Sequence, residues 1–135
     1  MDLTGENPLQ RDRFYSPIKE AVASLLQAGD VVRPIDVLVH LEVLTPELIE
    51  RWRSGGVPYL ERGITSGLSK VARMLAILHA HALELGLEPI AGKYSRRGAK
   101  TRLRFSKSGE PESEAAYGRH YRRSSTARGP SSDGE

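Results

Sequence analysis

Apolar residues recur at helical spacing through the first two thirds of the chain, and the period changes after Pro89. Ser16 and Pro17 predict a helix start: serine serves as the cap, and proline suits a first turn that needs no N–H donor. Ile18, Val22, Leu25 and Leu26 then form one apolar face, and Gly29 is expected to end the helix in a left-handed turn. A second helix is expected from Pro34, with Ile35, Leu38, Val39 and Val43 as its stripe, widened by Val37 and Leu41. Its β-branched content leaves a strand open as the alternative. Thr45-Pro46-Glu47 starts a third, short helix with Leu48, Ile49 and Trp52 facing inward, and Gly55-Gly56 stops it. Pro58 opens a further helical segment.

The longest pattern follows. Leu60, Ile64, Leu68, Val71, Leu75, Leu78, Ala82 and Leu85 are spaced by 4, 4, 3, 4, 3, 4 and 3 residues. That spacing predicts one continuous helical stripe, broadened by Met74 and Ile77. Gly63 and Gly67 each weaken a helix by about 1 kcal/mol relative to alanine, so the alternative is two segments broken between Thr65 and Ser69. Beyond Pro89, Thr101 to Ser106 alternates polar and apolar, which is a strand signal. Ala91 to Ser95 is its expected partner across a turn at 96–100. Such a hairpin puts Leu103 and Phe105 on one face and Arg102 and Arg104 on the other. The Ala- and Glu-rich run Glu112 to Tyr121 predicts a short helix. The expectation is a single domain, mainly α with a C-terminal β-hairpin, hence α+β and winged-helix-like. Residues 1–13 form a loose leader, 14–109 the helical domain with its hairpin, 110–123 a short helix or basic extension, and 124–135 a disordered tail.

Charge sharpens this picture. The net charge is only +3, yet residues 1–92 carry 9 Lys and Arg against 12 Asp and Glu, while residues 93–128 carry 11 against 3. A basic segment therefore follows a mildly acidic body, which points to a polyanionic partner. Lys93, Arg96, Arg97, Lys100, Arg102, Arg104 and Lys107 fall within fifteen residues with no acid between them. Arg119, His120, Arg122 and Arg123 extend the cluster, and Ser106, Ser108 and Gly109 offer phosphate contacts. Tyr94 is expected in the core or stacked on a base.

Reactive chemistry is sparse. The chain has no cysteine, which excludes disulfides, thiolate zinc sites and cysteine nucleophiles. His79 and His81 are two residues apart on a helix and face different sides. No H-E-x-x-H, EF-hand or phosphate-binding glycine loop occurs. The acidic residues read as solvated helix faces. The expectation is a non-enzymatic protein with no cofactor and no metal. An apolar run of membrane-spanning length and a secretory leader are both lacking in the sequence given, so a cytoplasmic protein without a membrane partner is expected.

Leu44 to Tyr59, with Trp52, Gly55 and Pro58, resembles the helix-turn-helix of excisionase- and MerR-like DNA binders, over residues 35–62. In those families the second helix enters the major groove and a hairpin wing reaches the backbone. The resemblance therefore implies DNA contacts at Arg51 and Arg53, which flank Trp52. Glu47 and Glu50 lie on the same short helix and repel phosphate, which shifts the expected contact surface to the hairpin. Residues 13–123 also resemble a family of small bacterial proteins that implies no activity, notably at Arg13-Phe14-Tyr15, Arg51-Trp52-Arg53 and Leu103-Arg104-Phe105.

The leading expectation is nucleic-acid binding in a regulatory or architectural role, with DNA favoured over RNA. One alternative is RNA binding through the hairpin. Another is a protein-interaction adaptor that pairs the Leu60–Leu85 stripe with a second chain, a homodimer included, and docks an acidic partner on the basic segment.

Overall fold

The computed structural model describes residues 11–64, 67–92, 94, 98 and 101–123. The class is α+β in a single domain. Five helices are described: α1 (Tyr15–Ala28), α2 (Pro34–His40), α3 (Pro46–Arg53), α4 (Leu68–Glu84) and α5 (Pro111–Gly118). The strands are β1 (Val31–Val32), β2 (Leu87–Ala91) and β3 (Arg119–Arg123), in the order β1-β3-β2.

The helix starts follow local chemistry. Thr45 caps α3 by accepting from the Leu48 amide at 3.1 Å, ahead of Pro46. α2 begins at Pro34 and is a helix, not the strand alternative. α1 starts one residue before the expected cap: Ser16 lies inside it, and the Asp12 carboxylate accepts from the Phe14 amide at 2.9 Å. Asp12 also pairs with Arg73 of α4 at 2.8 Å, so residues 11–13 are tied to the body and not part of a loose leader. Residues 1–10 lie outside the described residues. Gly29 is extended (φ −171°), not left-handed; α1 ends as the chain turns directly into β1.

The long apolar stripe is broken. A 3-10 turn at Leu60–Gly63 is followed by extended Ile64, and α4 begins only at Leu68. Gly63 lies against the Leu48 side chain with no room for a Cβ, so it serves packing rather than helix propagation. Leu60, Val71, Leu75, Leu78 and Ala82 of the stripe are all buried, while Leu68 and Leu85 are exposed. α4 packs on α1, β2 and α5.

The hairpin differs from expectation. β2 pairs antiparallel with β3, from Leu87 opposite Arg123 to Ala91 opposite Arg119. β3 also pairs with β1 through Val31–Arg122 and Val32–Tyr121, which makes the expected basic extension the central strand. Pro89 is tolerated because β2 is an edge strand, where a missing donor leaves no central ladder bond unmade. Thr101–Ser106 is not a regular strand. Leu103 does donate to the Tyr94 carbonyl at 2.8 Å, but the carbonyls of Arg104 and Phe105 accept from Leu60 and Glu61 at 3.1 and 2.9 Å. The hairpin's expected turn, 96–100, lies outside the described residues apart from Gly98, which has φ +78°. The expected helix over 112–121 runs from Pro111 to Gly118 and stops where β3 begins. The tail 124–135 lies outside the described residues.

Candidate nucleic-acid interface

Trp52 organises the region. It is fully buried, and its indole N–H donates to the Arg104 carbonyl at 2.8 Å. Its ring packs 5.0 Å from Phe105 and 5.4 Å from Tyr94, centroid to centroid. The end of α3 is thereby fixed against both arms of the basic segment. Phe105 in turn stacks on Tyr117 of α5 at 5.7 Å. Burying this aromatic cluster removes large rings from water and holds the segment to the body.

The cations divide by what they touch. Arg51 is exposed on the last turn of α3. Arg53 is half-buried, with its guanidinium 5.8 Å from the centre of the Tyr94 ring, and its Nε has no hydrogen-bond partner among the described residues. Arg102 is exposed and enters none of the ion pairs formed among the described residues. Arg104 is exposed but engaged: Nε donates to the Ser106 carbonyl at 3.0 Å, a terminal nitrogen donates to the Lys107 carbonyl, and the guanidinium lies 5.8 Å from the Tyr59 ring centre. Lys107 is exposed, and its amide donates to Glu61 at 3.0 Å. Lys93, Arg96, Arg97 and Lys100 lie outside the described residues. The structure thus sets Arg53 against Tyr94, and Arg102 and Arg104 along the 102–105 segment facing β2 and α5.

The tail cations have mostly structural roles. Arg122 pairs with Glu88 across the β2–β3 ladder at 3.2 Å. Arg123 donates to the Leu26 and Gly29 carbonyls and pairs with Asp30 at 2.9 Å. It therefore supplies a positive charge where the unsatisfied carbonyls of α1 end. The expected phosphate contacts at Ser106 to Gly109 are also spent internally. Ser106 is buried, and its hydroxyl donates to Glu114 at 2.7 Å and accepts from the Gly109 amide at 3.0 Å.

Two carboxylates that no sequence pattern singles out hold this region. Glu114 accepts from the amides of Phe105 and Ser106 at 3.0 and 2.8 Å, besides the Ser106 hydroxyl. Glu61 accepts from the Lys107 amide and, at 2.8 Å, from the Tyr117 hydroxyl. Both correct the expectation of solvated acidic faces. No local spacing signals them, because each bridges elements 8 to 56 residues apart.

Histidines and tyrosines are perturbed by burial. Tyr94 and His120 share a hydrogen bond at 3.1 Å, and His79 and Tyr121 one at 2.9 Å. Burial holds His120 below its ordinary value, with nearby Arg33 adding to this and Asp36 opposing it. Burial likewise lowers His79, helped by Arg119, and His81, which Glu84 partly offsets. Burial raises Tyr94, Tyr117 and Tyr121, so all three stay protonated hydroxyls at neutral pH. Tyr94 is thus chiefly a core residue.

Beside the cations lies a groove of about 810 Å³ between the end of β2, the 102–105 segment and α5. Among the described residues, no cluster of His, Asp and Glu is placed to hold a metal ion, and no helix is long and apolar enough to cross a membrane. No family model matches the chain, and neither a curated protein nor a solved structure matches it.

Proposed function

We propose that this chain is a non-enzymatic nucleic-acid-binding protein of winged-helix-like design, with DNA the favoured polymer and a regulatory or architectural role in the cytoplasm. One observation carries the reading. The connection from β2 to β3 bears the whole 93–107 cation cluster, and it leaves a three-stranded sheet that packs on α4. Exposed Arg102 belongs to that connection, and Arg53 of α3 abuts its first residues at Tyr94. A wing in this position grips phosphates, and Arg51, exposed on α3, is the further contact this reading expects. Arginine suits both tasks because its planar fork binds phosphate or guanine through two bonds. The expected absence of a cofactor and of catalysis belongs to the same proposal.

Duplex DNA titrations at rising salt test it. Three to four neutralised phosphates make affinity fall roughly 40- to 150-fold between 50 and 200 mM salt. The triple variant Arg96→Glu, Arg97→Glu, Arg102→Glu should lose at least about tenfold in affinity at low salt, from lost phosphate contacts alone. Undetectable duplex binding at low salt overturns the DNA reading, and unchanged affinity in the triple variant removes the basic segment from it. Competition with duplex RNA and single strands ranks the polymers. The adaptor alternative loses its main support, since most of the Leu60–Leu85 stripe is buried within the chain itself.

A further inference from the structure

The groove beside the basic segment has a composition that the charge cluster alone does not explain. Its walls are largely apolar: Ile90 from β2, Leu103 and Phe105 from the segment, and Pro111 and Ala115 from α5. Gly92 and Gly118 also line it, joined by a hydrogen bond from the Gly92 amide to the Gly118 carbonyl at 2.9 Å. A Cβ on Gly92 would collide with that carbonyl and with the His120 ring, and one on Gly118 would press on Phe105 at 3.2 Å. The two backbones can meet this closely only because position 92 carries no side chain. Arginines 102, 104 and 119 border the apolar walls. The acid of the lining, Glu114, has its charge turned to the Phe105 and Ser106 amides and the Ser106 hydroxyl.

An apolar cleft edged by guanidinium groups is complementary to an anion with a flat, poorly hydrated body. At about 810 Å³ it lies within the range of about 300–1,000 Å³ of ligand-sized pockets. It is also next to the basic segment in sequence. The chain leaves the groove at Gly92 and returns to it at Arg102, and the intervening stretch carries four more Lys and Arg. A polyanion held at exposed Arg102 has its phosphates at the groove's edge and its bases within reach of the apolar walls. We propose that the groove takes one unstacked nucleotide of a bound strand, its base between the walls and its phosphate on Arg102. This inference rests on the nucleic-acid reading and names the part of the polymer that the groove recognises. Exclusion of the base from water and its contact with apolar walls make the interaction tolerant of sequence, because every base has a π face.

The test uses the full chain and two single-stranded oligonucleotides of equal length, one with all its bases and one abasic throughout. The phosphates are the same, so any difference reports base binding. The intact strand should bind about tenfold tighter, the order expected for one stacked base. Its amide shift changes should centre on Ala91, Gly92, Ala115 and Gly118, and the abasic strand should leave these unmoved. Ala115→Leu, which adds volume to the groove, should bring the intact strand down to the abasic affinity while leaving abasic binding unchanged. If that variant does not fold, the amide shifts of the wild-type chain decide. Equal affinity for the two strands, or base-dependent shifts lying elsewhere, overturns the groove while leaving phosphate binding intact. Binding of neither strand also overturns the groove proposal, while the nucleic-acid reading is decided separately by the duplex titration.

Discussion

Single residues here are decided by what their polar atoms meet. Trp52 illustrates this: its ring is core, yet its N–H has a specific acceptor in the Arg104 carbonyl, so one side chain ties α3 to the basic segment. Arg123 reads in the sequence as part of a charged tail, but its guanidinium is taken up by the end of α1 and by Asp30. The histidines give a test at this scale. His79, His81 and His120 all titrate below the ordinary histidine value because burial penalises the charged ring. Just below pH 6.5 the unfolded chain therefore binds more protons than the folded one, and stability rises with pH through that window. Their contribution is fully present above about pH 6.5 and is lost as pH falls toward the lower folded values. Thermal midpoints should be level from pH 8 to 7 and fall between pH 6.5 and 5.5. A midpoint that stays flat to pH 5.5 contradicts this account.

At the scale of elements, the short helices are legible because their ends carry chemistry. Thr45-Pro46 and Pro34 mark starts by rules that depend only on neighbouring residues, and both helices begin there. The 60–85 stripe is ambiguous for the opposite reason. Apolar spacing continues across Gly63 and Gly67, and only the folded backbone, with its 3-10 turn and extended Ile64, shows where the chain breaks. The 101–106 segment misleads through its alternation. Its side chains do alternate between buried Phe105 and exposed Arg102 and Arg104, but its backbone partners are Tyr94, Leu60, Glu61 and the Glu114 carboxylate rather than one strand. Glu114→Gln tests that account. The glutamine oxygen would still accept on one side, but its NH2 would set a donor against either the Phe105 amide or the Ser106 amide, at a cost of about 1–3 kcal/mol. Hydrogen exchange at those two amides should quicken, with α1 amides changed only through the global loss. Unaltered exchange at both positions would show that the carboxylate does not hold the segment.

For the whole molecule, the decisive feature is that the last described strand is the central one. β3 fills the space between β1 and β2, and Tyr121 is buried in the core with Val32 and Leu87. Ending the chain after Gly118 would leave both outer strands without a partner and open the core at Tyr121. Burying a side chain of that kind contributes about 1.5–3 kcal/mol, and the β3 ladder and the Arg123 cap of α1 are lost with it. The truncated chain should lack a cooperative thermal transition, whereas ending it after Arg123 should leave the transition in place. A cooperative, native-like melt without 119–123 would show that the sheet is dispensable. This arrangement also changes the charge map. Arg122 and Arg123 are paired within the body and Arg119 is hydrogen-bonded to Tyr121, so the arginines of β3 serve the fold.

Local patterns in the chain specify the helical body, the starts of α2 and α3, the inward-facing Trp52 and the concentration of positive charge after residue 92. Each depends on spacing, capping or composition, which act over a few residues and need no partner from afar. Long-range packing alone makes β3 central, turns Glu61 and Glu114 to backbone amides, engages Arg122 and Arg123 in pairs and a helix cap, and opens an apolar groove beside Arg102. Those features join residues far apart in the chain, and no local pattern encodes which distant donor, acceptor or wall will meet them.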